Sequence, residues 1–194
     1  MQAESLGRFV LRTVLWLPVC LTAWYFAAPY HGQVVGSLAR GVIDLVHSGL
    51  VDATEREGAS IVFVTRIQVP AEGGRVGVLV PDVNPLIYTY GLAFFLALML
   101  GSRARAWALV AGAVALLPFQ AWGVGFDFLA QIVRAGPQAT ARAGLTGGEM
   151  EAIALAYQLG SLILPPVVPV LLWAAFNRGF IDRLRATPPH AAAA

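Results

Sequence analysis

Apolar positions along the chain gather in four long runs, Phe9–Ala28, Leu86–Gly101, Ala106–Val133 and Ile153–Phe176. None of them alternates with period two, so none reads as a barrel strand. A helix needs about 20 residues, ~17–25 in practice, to cross ~30 Å of hydrocarbon. Three runs meet that length, and the second, at 16 residues, must borrow from Asp82–Pro85 or Ser102. Only helices and closed barrels satisfy their backbone groups in lipid. The pattern therefore predicts an integral membrane protein with helical spans at about 9–28, 85–101, 106–133 and 153–176.

The largest segment outside the spans is residues 31–84. It opens with helical periodicity: Val34, Leu38, Val42, Leu45, Val46 and Leu50 fall on one side, and Ser37, Arg40, Asp44, His47, Ser48 and Asp52 on the other. This predicts an amphipathic helix on the membrane surface or over the bundle, ended by Glu55–Gly58. Ile61–Val69 is rich in β-branched residues and predicts a strand with Ile61, Phe63, Ile67 and Val69 on one face. Pro70–Gly74 then reads as a turn and Arg75–Val80 as the return strand. An isolated hairpin is marginal in water, so this one should rest on the bundle, the helix or a partner. Pro118 should kink the third span, and Pro165, Pro166 and Pro169 should bend or locally unwind the fourth. Residues 134–149, with Gly136-Pro137 and Gly144, read as a short loop with a helical turn, and the tail from Thr187 as disordered. The fold class is an all-α membrane protein of four transmembrane helices, with a periplasmic amphipathic helix and a small β-hairpin, in one domain covering residues 1–194.

Composition agrees: 58% of residues are hydrophobic and 12% charged, against about 25% charged in a soluble domain. The net charge of +2 does not indicate nucleic acid, because the basic residues do not cluster on one polar surface. All 13 basic residues are arginines, and their placement orients the spans. Arg8, Arg12, Arg103, Arg105, Arg178, Arg183 and Arg185 fall on one side, which the positive-inside rule makes cytoplasmic. The other six are spread over longer segments and mixed with acids. Both termini are therefore expected in the cytoplasm, with residues 31–84 in the periplasm. The first apolar run is longer than a signal-peptide core and reads as an uncleaved anchor. The single cysteine, Cys20, lies mid-span and reads as a small packing residue.

Polar groups within spans are expensive and carry the candidate chemistry. Asp127 is the one acid within a long span. Gln120 lies two turns before it, Gln158 and Tyr157 lie early in the fourth span, and Asn84 and Tyr88 lie at the mouth of the second. These six residues fall near one depth, at the periplasmic ends of three spans. They read as a shared pocket or partner contact, or as interhelical hydrogen bonding with an aromatic belt. Catalytic sets are missing: the sequence holds no Gly-x-Ser-x-Gly, no His-Glu-x-x-His and no phosphate-binding loop. His31 and His47 lack metal-site spacing and read as solvated or interfacial. No catalytic residue, metal or cofactor is assigned.

Three segments also carry a resemblance. They are Val80-Pro81-Asp82-Val83-Asn84-Pro85-Leu86-Ile87-Tyr88-Thr89-Tyr90-Gly91-Leu92, Leu117-Pro118-Phe119-Gln120-Ala121-Trp122-Gly123, and Ala156-Tyr157-Gln158-Leu159-Gly160 with Ile163-Leu164-Pro165. Together with Leu15-Trp16-Leu17-Pro18, they resemble the exosortase H-associated membrane proteins over nearly the whole chain. The resemblance implies a bacterial inner-membrane accessory, without established catalytic residues, of a system in which an exosortase cleaves and transfers proteins bearing a C-terminal sorting signal. An exosortase itself needs a membrane-embedded Cys, Arg and His set, which this chain lacks. Partners would be the lipid bilayer, an exosortase and its sorted substrates. The rival readings are a small membrane enzyme or carrier using Asp127 and Gln120, and an assembly factor for another envelope complex.

The orientation is testable. A reporter fused after Arg185 should be active only as a cytoplasmic marker, and one inserted at Gly73 only as a periplasmic marker. A periplasmic signal from the Arg185 fusion would invert the topology.

Overall fold

The computed structural model describes residues 6–70 and 75–186. Residues 71–74 of the expected Pro70–Gly74 turn and the tail from Thr187 lie outside the described residues. The chain is mostly helical. Three helical stretches, Leu6–Val46, Ala106–Arg134 and Gly147–Phe176, are long and apolar enough to cross a membrane, and Leu86–Gly101 is a shorter apolar helix. Only 17% of the most apolar window of the first stretch is buried against protein. Many of its other side chains are apolar and exposed, Leu11, Val14, Leu15, Val19 and Phe26 among them, which suits lipid rather than water.

Helix α1 (Leu6–Val46) corrects one expectation. The first span and the amphipathic helix are not separate; they are one 41-residue helix. Pro29 costs a backbone bond at the expected junction, but neighbouring groups make such losses tolerable in membrane helices. The buried face also differs from the expected one. Val35, Ala39 and Ile43 are fully buried, while Val34, Leu38, Val46 and above all Leu45, 89% exposed, point outward. Side-chain size misleads here because small residues set the contact. A Cβ on Gly36 would sit 2.8 Å from Ile61 Cδ1, and one on Gly32 would sit 3.1 Å from Pro85 Cγ.

A three-stranded antiparallel sheet packs on that face, built from β1 (Val51–Glu57), β2 (Ser60–Thr65) and β5 (Asp82–Val83) in the order β1-β2-β5. The residues expected to end the helix, Glu55–Glu57, are instead the end of β1. They pair with Val62, Ile61 and Ser60 across a turn in which Gly58 has φ 61°. β1 has little intrinsic strand preference. It is an edge strand held by its neighbour, and its charged residues suit an edge. β2 supplies the buried Ile61 and Phe63. The expected strand Ile61–Val69 is split: its first part is β2 of this sheet, and only its end, β3 (Gln68–Pro70), pairs antiparallel with the return segment, β4 (Val76–Val78), with Pro70 in the strand rather than the turn.

The rest is helical: α2 (Leu86–Thr89), α3 (Gly91–Gly101), α4 (Ala106–Arg134), α5 (Pro137–Ala143), α6 (Gly147–Gln158), a π-helical turn at Leu159–Ile163, α7 (Leu164–Phe176) and α8 (Arg178–Ala186). α6 begins with a capping box, in which the Thr146 hydroxyl accepts from Glu149 N–H and the Glu149 carboxylate accepts from Thr146 N–H. The π turn has a cause in the next residues. Pro165 and Pro166 cannot donate to the carbonyls four residues back, and their rings crowd that turn. The backbone widens, and Leu164 N–H reaches Leu159 O.

The chain divides into two compact units. One comprises Met1–Phe26, Tyr90–Leu116 and Pro166–Ala194. Within it Phe9 stacks on Trp173 at 5.2 Å and meets Phe180, and Cys20 is buried among Ala93 and Ala97. The other comprises Ala27–Thr89 and Leu117–Pro165. It holds the sheet and a core centred on Phe63, Phe128, Ile43 and Leu129.

In this second unit α4 meets the π turn through glycines. A Cβ on Gly160 would lie 3.0 Å from Gly123 Cα, and one on Gly123 only 2.3 Å from Tyr88 Cδ1. Gly123→Ala should therefore lower stability by about 1–3 kcal/mol despite the better helix propensity of alanine. Gly148→Ala, where a Cβ meets nothing within 4 Å, should be neutral or gain ~0.4–1 kcal/mol. Thermal unfolding of both variants in detergent checks the contrast; equal midpoints would mean the glycine contact is not tight.

Candidate functional site

Polar residues recur along α4 at seven-residue spacing: Gln120, Asp127 and Arg134. Seven residues are two turns less about 20°, so the three lie along one face, each step rising about 10 Å. Gly123 and Ala130 fall between them on that face. This leaves room for side chains from other elements to reach the polar groups.

Asp127, only 8% exposed, is the centre of the stripe. Its Oδ1 accepts from Arg134 Nη2 at 3.1 Å. The phenol of Tyr88, brought in by α2 and buried against Gly123, interacts electrostatically with the same carboxylate. The Arg134 guanidinium lies over the Tyr157 ring of α6, 5.1 Å from its centroid. Its side chain remains 55% exposed. A carboxylate taken out of water needs a partner of this kind, since an uncompensated buried charge is costly. Two aromatic hydroxyl residues, an acid and a guanidinium thus meet within one unit.

Gln120 sits deeper, 3% exposed. Its Oε1 accepts from His31 Nε2 of α1 at 2.8 Å. Its own amide N–H₂ is buried without a hydrogen-bond partner among the described residues. The helix crossing beside it is fixed by Trp122, whose indole N–H donates to Ala156 O at 3.1 Å and whose ring packs 4.5 Å from Phe126.

Of the six expected site residues, Tyr88, Asp127 and Tyr157 come together, and Gln120 occupies the same face of α4 one step away. Asn84 and Gln158 do not join them. Asn84 is exposed, and its Oδ1 caps α2 by accepting from Leu86 N–H at 3.0 Å; Gln158 is exposed on α6. Two members escaped sequence reasoning. Arg134 had been counted only as a loop charge, although the 120–127–134 spacing signals it. His31, expected to be solvated or interfacial, is half-buried and bonded to Gln120. His47 likewise is half-buried and bonds the Ala143 carbonyl. Neither correction was visible without knowing that α1 runs unbroken past Pro29. Among the described residues no group of three or more His, Cys, Asp or Glu side chains could hold a metal ion.

Long apolar helices with outward apolar faces and a small sheet define a membrane protein. The sequence profile of the exosortase H-associated membrane proteins matches residues 3–180, and the chain belongs to that family. No curated protein and no solved structure matches the chain.

The ion pair is asymmetric, which gives a measurable consequence. Arg134→Gln strands a buried carboxylate and should cost about 1–3 kcal/mol. Asp127→Asn leaves a half-exposed guanidinium that water can solvate, and should cost less than ~1 kcal/mol. Unfolding midpoints of the two single variants and the double variant would test this. Equal losses for the singles would show that Asp127 is not held by Arg134.

Proposed function

We propose that the chain is a non-enzymatic inner-membrane accessory or scaffold of an exosortase-type protein-sorting system. In this reading it crosses the bilayer four times as one integral domain, the short Leu86–Gly101 helix included, with both termini cytoplasmic and the sheet periplasmic. Membership of the exosortase H-associated family carries the reading. The polar stripe on α4 is the proposed contact region: Arg134 and Tyr157 present a charged and aromatic surface, the buried Asp127 and Tyr88 back it, and Gln120 offers an unmatched donor further in. Asn84 and Gln158, both exposed, would lie at its rim. Tyr and Arg are the residue types that most often anchor interfaces.

The rival reading, an enzyme or carrier working through Asp127 and Gln120, has the ion pair against it. A proton carrier needs a carboxylate open to exchange, whereas the buried Asp127 carboxylate is engaged by the Arg134 guanidinium at 3.1 Å.

The test is co-purification with the exosortase from the same cells. Gln120→Leu should leave membrane insertion and expression largely intact and reduce recovery of the exosortase several-fold, and Arg134→Gln should do so when recovery is normalised to the variant's own folded level. Unchanged recovery with both variants would refute the contact region. Loss of a measurable catalytic or transport activity with Asp127→Asn, with recovery unchanged, would favour the rival.

A further inference from the structure

The first unit carries a second concave site that the accessory reading does not use. It is a cavity of about 240 Å³ bounded by the loop after α3, the start of α4, and the α7–α8 junction. Arg103, Arg105 and Arg183 line it, together with Trp107, Phe176 and Asn177. Among the described residues that line it, none is acidic. Neither the Arg103 nor the Arg105 guanidinium has a hydrogen-bond or ion-pair partner among the described residues.

The backbone at Arg103 is an independent sign. Helix α3 ends in a Schellman closure: Arg103 N–H bonds Leu100 O at 3.0 Å, and Ala104 N–H bonds Met99 O at 2.9 Å. That closure requires a left-handed residue, normally glycine, yet Arg103 takes it with φ 55°. Strained residues persist only where the surroundings over-determine them, and they cluster at functional positions. The loop around it is closely hydrogen-bonded. The Ser102 hydroxyl donates to the Leu98 and Met99 carbonyls at 3.0 Å each, and Trp173 Nε1 donates to Ser102 Oγ at 3.2 Å. The left-handed backbone therefore places Arg103 at the rim of the cavity. On the apolar wall, Trp107 is 59% exposed and stands edge-on to Phe176 at 5.9 Å. An exposed tryptophan at the end of an apolar helix is an interfacial anchor.

We propose that this cavity binds a phosphate-bearing ligand, and that the source is the headgroup of an anionic phospholipid. Arginines supply the fork geometry that phosphate oxygens match, and basic pockets between membrane helices are where such headgroups bind. Trp107 and Phe176 would lie along the glycerol and upper acyl chain. A soluble phosphate would use the arginines but gain nothing from that wall.

The test uses the full chain in phosphatidylcholine nanodiscs, with and without phosphatidylglycerol, followed by mild extraction and native mass spectrometry. The wild type should retain phosphatidylglycerol with at least tenfold preference over phosphatidylcholine. The double variant Arg103→Gly, Arg105→Gln should lose that preference. Glycine suits φ 55°, so the variant's melting point in pure phosphatidylcholine should not fall; if it does, Arg105→Gln alone serves in its place. In detergent, millimolar inorganic phosphate should shift the wild-type melting point weakly or not at all. A strong phosphate shift, abolished in the variant and without phosphatidylglycerol retention, would keep the phosphate site and assign it to a soluble ligand. Equal lipid retention by wild type and variant, with no phosphate shift, overturns the proposal. No exosortase is needed, so this outcome is independent of the accessory reading.

Discussion

The second unit depends on the contact where α4 crosses the π turn. Gly160 brings the π turn against the Gly123 backbone, where a Cβ would sit at a tight 3.0 Å, and Tyr88 closes over Gly123 so that a Cβ there would not fit. In lipid, apolar burial gives helices no net reason to associate, so close van der Waals packing through small residues takes that role. The chain makes this crossing at the place where two prolines have already loosened the second helix. The widened turn is not left unsatisfied: Trp122 Nε1 and Ser161 Oγ donate to the carbonyls of Ala156 and Tyr157 just before it. Those bonds also fix the helix that carries the Tyr157 ring beneath Arg134.

The same device joins α1 to the sheet. Gly32 and Gly36 admit Pro85 and Ile61, and Gly125 of α4 lies against Val42 and the Ala39 carbonyl. The sheet is thus seated on α1 at Gly36, α1 is held against α4 at Gly125, and Phe63 of the sheet meets Phe128 of α4 at 5.1 Å. A hairpin that would be marginal alone gains its stability from this seating.

Much of this was legible in the sequence, and the failures share a cause. Apolar runs of sufficient length announced the membrane helices, and the β-branched segment around Phe63 announced a strand, because each signal is local. Pro165 and Pro166 announced the disturbed helix for the same reason. The buried face of α1 was misread because periodicity was weighed by large side chains, while the real contact selects Gly36 and Ala39. β1 was missed because its strand state comes from pairing with β2, which no local propensity encodes. Of the candidate site, the α4 residues stood out as costly polar groups within a span. Asn84 and Gln158 were drawn in by spacing along the chain, which fixes depth but not direction. Arg134 was left out because a charge at a helix end looks ordinary until its partner is known.

The order of groups along α4 follows from electrostatics. The neutral amide of Gln120 lies deepest, the carboxylate of Asp127 is next and already paired, and the guanidinium of Arg134 is at the end and half in the open. Desolvation penalises an ion far more than an amide, so a stripe running into a low-dielectric interior should lose formal charge with depth. Arg134 also sits in the last turn of its helix, where the carbonyl end of the macrodipole favours a cation. The pair can therefore form with little penalty at the Arg134 side, and the cost of the buried carboxylate falls mainly on that one bond and the Tyr88 phenol. A partner approaching the exposed end would meet a guanidinium held in place by an aromatic face rather than a free surface charge. Such a group is already ordered before binding, so it gives up less conformational entropy when a carboxylate or carbonyl of the partner engages it.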